Sequence, residues 1–469
     1  MKKLNFDRAL RLAAEALQHP ELTKEFTILI VRDIYGRLRF AVNAFRARSG
    51  GGDSASEFEK TQPVFPHESL EILLAATRSL GPYATAQQVI FRDDFSQPEA
   101  FFSHPDIQEM LLDEYEDDEG EVHSELTILL LDRQVVGQDW LRTKRQRGEG
   151  QPPRVVFYGL KGGVGRSTSL AMLAFLFAKA GKNVLLLDFD LESPGLSGLL
   201  LPTDRVPESG IVNWFIEDAI VPDDRLLNEM ISDSPLAEHL DGRIRVVPAM
   251  GQADPSYLAK LSRVYGDVPT PRGPERFAAR MARLVEALEA KEKPDVVLID
   301  SRAGLHDLAA VSISTLADLA LLFATDNEQS WQGYEQLLKH WRQRPNVLRG
   351  VRERLWLVRA MFPEANQEEL FERFVQRAYD LFSENLYDDL PASDDEQAND
   401  DVGGLPIDAF AYDMMDEEAP HFPLIVRWNA RFMEFSPVTE ASRGGVSEAD
   451  IQLAFGAFAQ RVNEILFGV

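Results

Sequence analysis

The stretch that decides the fold is Arg154–Leu200, RVVFYGLKGGVGRSTSLAMLAFLFAKAGKNVLLLDFDLESPGLSGLL. It opens on an apolar run, VVFYGL, without the alternation of a half-exposed strand, so the strand should be buried on both faces. A loop carrying Gly162, Gly163 and Gly165 follows. Next comes STSLAMLAFLFAKAGK, apolar nearly all round and stopping at Gly181, a natural helix C-cap. A second apolar strand, NVLLLDFD, ends on Asp188 and Asp190. Glycines allow successive backbone N–H groups to converge on an anion, and the helix adds its positive end, so strand–loop–helix reads as a phosphate cradle. Ser167 stands where a P-loop hydroxyl reaches a metal ion, and Thr168 where one meets a more distal phosphate. The strict pattern G-x-x-x-x-G-K-[ST] fails twice, with Leu160 for the first Gly and Arg166 for Lys.

Working outward, IRVVPAM, DVVLIDS, LALLFAT and RLWLVRA are further apolar strands separated by helical stretches, which predicts an α/β fold with a mostly parallel sheet wrapped by helices. RTKRQRGEGQPPR, from Arg142 to Arg154, reads as a linker. It divides the chain into a small α/β domain over 1–150 and a larger one over 151–469. In the first, a helix near Phe6–Gln18 leads to a hairpin turning at Tyr35-Gly36. A helix over Glu68–Leu80, the strand QQVIFRDDF, a short helix ending in DEYEDDEGE and the strand LTILLLDRQVV complete it. Arg46–Pro63, with Gly50, Gly51 and Gly52, reads as a loop. His67, His104 and His123 are isolated, no active-site constellation stands out, and a regulatory or partner-binding role is expected. YDDLPASDDEQANDDVGG, over 387–404, is too charged to pack and reads as an exposed acidic insertion.

The chain has 469 residues and a formal charge of -27, from Asp+Glu 76 against Lys+Arg 49. Its averaged field repels nucleic acid and anionic lipid. The absence of cysteine removes disulfides, thiolate metal sites and cysteine nucleophiles. No apolar run is long enough to span a bilayer and MKKLNFDRALRLAAEAL is not a signal peptide, so a cytoplasmic protein without membrane attachment is expected. Ile451, Phe455, Phe458, Val462, Ile465 and Val469 recur at helical spacing, but only Arg461 is basic there. A membrane-surface helix needs a basic face, so this one should dock on the larger domain.

KGGVGRST, with its second lysine at Lys161, resembles the deviant P-loop KGGxGK[ST] of the ParA/MinD-like (SIMIBI class) ATPases. VLLLDFDLESPGLS is similar to that family's switch I, and PDVVLIDSRAGLHD to its Walker B strand and switch II. The resemblance covers about 154–360 well and the remainder to 469 loosely; the N-terminal domain lies outside it. It implies a P-loop NTPase fold with ATP and Mg2+ as cofactors. The cradle would be Lys161, Gly162, Gly163, Val164, Gly165, Arg166, Ser167 and Thr168. Ser167, Asp188 and Asp300 would hold or support the metal, Asp190 would orient the attacking water, and Lys161 would reach across an ATP-dependent homodimer to the partner's phosphates. Lys161, Arg166 and Asp190 are thus the expected catalytic residues.

The function so implied is an ATP-hydrolysing switch that couples nucleotide state to a protein partner through the N-terminal domain. Arg166 keeps the charge but not the shape of lysine, so slow turnover is expected. A catalytically weak or inactive nucleotide-binding scaffold or sensor is one alternative. A ParA-like DNA-positioning ATPase is another, motivated by Arg342, Arg344, Arg349, Arg352 and Arg354 and opposed by the overall charge. Arg302, in DSRAG, is either a phosphate or partner contact or a solvated loop arginine.

Overall fold

The computed structural model describes the chain except for residues 1–3, 23, 48–62, 117–121, 144–147, 149, 222–224, 253, 272, 390–408, 434, 436–445 and 469. The glycine loop at 50–52 and most of the acidic tract fall outside the described residues. Two compact units divide the chain: Met1–Leu141 with His340–Leu348, and Arg142–Lys339 with Arg349–Val469. The first break falls at the start of the expected linker. Residues 340–348, which the sequence assigns to the larger domain, group with the smaller one. The cause is packing: Trp341 is fully buried, its ring lies 5.8 Å from that of Trp140, and its Nε1 donates to the Trp140 carbonyl at 2.9 Å.

The first unit comprises α1 (Phe6–Ala16), β1 (Ile28–Arg32), β2 (Leu38–Val42), α2 (His67–Ser79), β3 (Ala84–Phe91), α3 (Pro98–Phe102), β4 (Ile107–Leu112) and β5 (Leu126–Asp132), with two short two-residue strands between the last two. Its five-stranded sheet runs β3-β2-β1-β5-β4. The expected hairpin is present, β1 antiparallel to β2, with Gly36 at φ 84 in the turn. One expectation fails: the residues before DEYEDDEGE form β4, antiparallel to β5, and the helix is confined to α3. Six antiparallel register pairs along β5 outweigh the local acidic, helix-favouring composition. Asn5 caps α1 by accepting from the Arg8 N–H at 2.8 Å, and the apolar face of α1 packs into the sheet core with Phe40, Phe65 and Leu73.

In the second unit, β6 (Arg154–Gly159), α4 (Arg166–Lys179), β7 (Asn183–Phe189), β8 (Ser232–Asp233), β9 (Arg243–Val247), α5 (Phe277–Glu292), β10 (Val296–Ser301), β11 (Leu319–Ala324), α6 (Glu328–Arg342), β12 (Leu355–Phe362), α7 (Gln367–Asn385), β13 (Leu424–Arg427) and α8 (Glu448–Phe467) are the main elements; α6 runs on into residues of the first unit. The sheet order is β8-β9-β7-β10-β6-β11-β12-β13, and every pairing is parallel except that of the edge strand β8. β6, β10 and β11 are buried along their whole length, as the unbroken apolar runs require. α4 buries most of its residues in the same core. It ends with Gly181 at φ 83, the left-handed conformation that suits glycine after a helix. α8 docks on this unit through Ile451, Phe455, Phe458 and Val462, as its weakly basic face leads one to expect. β13, in PLIVRW, was not anticipated.

Candidate nucleotide site

Register assembles the site. β7 and β10 are adjacent and parallel, and Asp188 pairs in register with Asp300. β10 also flanks β6, where Asp300 pairs with Phe157, two residues before the loop begins. Both aspartates therefore emerge at the carboxyl ends of neighbouring strands beside the glycine loop, where parallel α/β sheets place ligand sites. Gly163 and Gly165 hold φ of 76 and 78, and a Cβ on either would meet open space, so it is backbone conformation and not crowding that calls for glycine. α4 starts directly after Gly165 with no side-chain cap, leaving first-turn N–H groups available to an anion. Val164 is buried in the core and also lines the cavity beside the loop. Leu160, at the missing first glycine, packs where Gly333 of α6 has no side chain; a Cβ there would lie 2.7 Å from Leu160.

Arg166 does not extend along the loop. Its Nε donates to Asp300 Oδ1 at 2.6 Å and its Nη2 to Asp190 Oδ2 at 2.9 Å. Ser167 Oγ donates to the other Asp300 oxygen at 2.6 Å. Arg166 is 8% exposed and its Nη1 is buried with no hydrogen-bond partner among the described residues. Burial works against the guanidinium's charge, but Asp300 and Asp190 outweigh it and raise its pKa. Asp188 is fully buried and accepts from the backbone N–H groups of Leu196 at 3.1 Å and Asp190 at 3.2 Å. Burial, and then the Asp300 charge, push its pKa up to about 8. Burial also raises Asp190, with Arg166 opposing. Asp300 and Asp190 thus share a single guanidinium, the Ser167 hydroxyl bonds the second Asp300 oxygen, and Asp188 lies beside them with backbone partners only. Hard oxygen donors fit Mg2+; among the described residues no three Asp, Glu or His side chains converge as a metal site, so Ser167 and Asp300 would supply only part of its shell.

Two neighbouring features were not legible in the sequence. Glu192, four residues after Asp188, forms an ion pair with Arg302, accepts from the Tyr265 hydroxyl and lies 3.8 Å from His306 Nε2. Arg302 is therefore a tie between the two aspartate-bearing loops. Beside the glycine loop lies a cavity of about 280 Å³, lined by Gly163, Gly165, Thr168, Met361, Trp428 and Phe432 among others. Trp428 follows β13 and is 41% exposed. Its signal, an aromatic directly after a buried strand, is faint without the strand. Lys161 is half-buried and has no ion pair among the described residues. Of the arginines that motivate the DNA-positioning alternative, Arg344 and Arg352 are buried, Arg352 is paired with Asp388, and Arg354 donates to the carbonyls of Ser314 and Ala317, while Arg342 and Arg349 are exposed.

Several known proteins and one family model are similar to this chain. Residues 155–376 match the CobQ/CobB/MinD/ParA nucleotide binding domain. The sporulation initiation inhibitor protein Soj of Bacillus subtilis is 30% identical over 179 residues, 38% of this chain. The chain spans 60% of Soj's length. Similar solved structures include the kinase domain of the Escherichia coli tyrosine kinase ETK, at 21% identity, covering 40% of this chain and 64% of that one with a TM-score of 0.28. The ParA family ATPase from Chlorobium tepidum TLS has 17% identity, 48% and 80% coverage, and a TM-score of 0.33. Cobyrinic acid a,c-diamide synthase from Mycobacterium smegmatis, with bound ATP analog and magnesium, has 15%, 48% and 82%, and 0.35.

The strand–glycine loop–helix with its flanking aspartates defines a P-loop nucleotide-binding domain. More narrowly, residues 155–376 of the second unit match the CobQ/CobB/MinD/ParA nucleotide binding domain, and the first unit is an additional α/β region preceding it.

Proposed function

We propose that this protein is an ATP-driven switch in which Arg166 is a resident cation of the metal site. The single observation that carries the reading is the Arg166 fork onto Asp300 and Asp190 beside an uncapped helix N-terminus. Loop N–H groups from Gly162 to Thr168 bind the phosphates, with Thr168 reaching the more distal one. Trp428 and Phe432 supply the apolar wall against which the base rests. Ser167 and Asp300 would hold Mg2+, with Asp188 supporting from behind; such an ion would offset phosphate charge and stabilise charge developing in phosphoryl transfer. Asp190 orients the attacking water. Arg166 must yield Asp300 before that arrangement is complete, which makes turnover slow. Lys161 has no ion pair of its own and is the cation offered to the phosphates of a second copy in an ATP-dependent homodimer, while the first unit engages a protein partner.

Light scattering with Mg2+ and ATP, beside phosphate release, tests the proposal. A larger species and slow turnover that vanish in Asp190→Ala are expected; a chain that stays monomeric and releases no phosphate at saturating ATP refutes the switch. The second reading, a nucleotide-binding scaffold without turnover, is favoured by the same Arg166 fork, and binding without phosphate release would select it. A DNA-positioning role has less support, because Arg344, Arg352 and Arg354 are withdrawn into the protein.

A further inference from the structure

A separate cavity, of about 620 Å³, lies wholly among residues of the first unit. Its floor is built on register: Arg32 and Asp132 are paired positions on the parallel strands β1 and β5. The Arg32 guanidinium forks onto Asp132, Nε donating to Oδ1 at 2.9 Å and Nη2 to Oδ2, and Gln134 donates to Oδ2 at 3.0 Å. Asp132 is therefore saturated. Arg344, also on the floor, is 2% exposed, yet its Nε is buried with no hydrogen-bond partner among the described residues. Among the described residues its Nη1 reaches only the adjacent Gln343 carbonyl, at 3.4 Å. An unpaired buried guanidinium is costly unless something compensates it.

The charges on the floor do not balance. Burial lowers Arg344 to about 10, so it stays cationic at neutral pH. Burial and the neighbouring Arg344 lower His340 to about 4, so the imidazole adds no charge. Arg32 and Arg344 against Asp132 leave one positive charge in excess. At the rim, Arg133, Asp7 and Asp33 carry charge, but Asp33 is occupied by Arg37 and by its own turn. The remaining rim is apolar and exposed: Phe6 46%, Ile34 54%, Val135 80% and Val136 69%. One excess positive charge beneath an apolar rim matches one negative charge on an apolar group. A dianionic phosphate would leave the floor net negative.

We propose that this cavity binds a monocarboxylate carried on an apolar group, with the carboxylate paired to Arg344 and the apolar part against Ile34, Val135 and Val136. Two sources share that chemistry, a small apolar carboxylic acid and the apolar C-terminus of a polypeptide. The assignment does not rest on the nucleotide reading of the second unit. The full-length protein, titrated by calorimetry with hexanoate, with the free acid acetyl-Ala-Val-Leu, and with the amide of each and hexyl phosphate, decides the matter. At least one acid should bind roughly tenfold or more tightly than its amide, since a charge-assisted hydrogen bond is worth about 1.5–3 kcal/mol. Arg344→Gln should erase that preference. Val136→Asp, at an exposed position that folding tolerates, should weaken the acid with melting unchanged. Tighter binding of the peptide acid assigns a partner's terminus, and tighter binding of hexanoate a small molecule. Acids that do not bind, acids no better than amides, a preference that survives Arg344→Gln, or hexyl phosphate binding best would each overturn the proposal.

Discussion

The two units each bury arginine beside aspartate, in opposite proportions. In the second, one guanidinium, Arg166, serves Asp190 and Asp300 with Asp188 behind them. In the first, two buried guanidiniums stand near one carboxylate, Asp132, which is paired with Arg32 and leaves Arg344 uncompensated. The first arrangement is short of positive charge and suits a metal ion; the second is short of negative charge and suits an anion. The teaching is that a net charge of -27 constrains solubility and long-range attraction but not the sign of a buried site, which is set by the local count of paired groups.

The comparison is broken most forcefully at Asp300. Asp300→Ala should cost about 3 kcal/mol, because it strips a buried partner from Arg166, and should lower phosphate release by about a hundredfold or more. Urea midpoints and turnover would check it, and a stable, active variant would mean that the aspartate cluster is not the working site. Trp428→Ala sharpens the cradle side. Loss of base stacking worth about 1–3 kcal/mol should weaken ATP roughly tenfold while leaving pyrophosphate binding unchanged, as calorimetry can report.

Asp188 tests the shortage of positive charge through pH. Its folded-state pKa is raised from 3.8 to about 8, so between those values the folded chain holds a proton that the unfolded chain has lost. Stability from this group is present below about pH 4 and drains away as pH rises toward 8. Asp188→Asn should flatten that decline in the nucleotide-free protein; denaturation curves with the same slope in both proteins would remove the burial argument. The smallest effect belongs to Gly165→Ala. A left-handed φ of 78 with open space around it should cost about 1 kcal/mol, seen as a slight fall in melting temperature.

Much of the second unit was legible because its signals are local and redundant. Unbroken apolar runs marked β6, β7, β10 and β11, and the glycines with Asp188, Asp190 and Asp300 stood at their ends. What Arg166 does was not legible. The sequence places it at a phosphate-binding position, and only the register of β7 against β10 brings the carboxylates together within its reach. Glu192, Trp428 and Gly333 escaped for the same reason, since their partners are distant in sequence. In the first unit, β4 was misjudged because pairing with β5 outweighs local composition. Arg344 read as surface charge, although Trp341, three residues before it, folds the segment into the unit's interior.

The account's central claim is that Arg166 competes with the metal for Asp300. It is tested most directly by titrating Mg2+ into the ATP-bound protein, wild type beside Arg166→Lys, and recording the concentration that gives half-maximal phosphate release. A lysine cannot fork onto both carboxylates, so the variant should need about tenfold less Mg2+ and turn over faster. Superimposable Mg2+ curves for the two proteins would contradict the account.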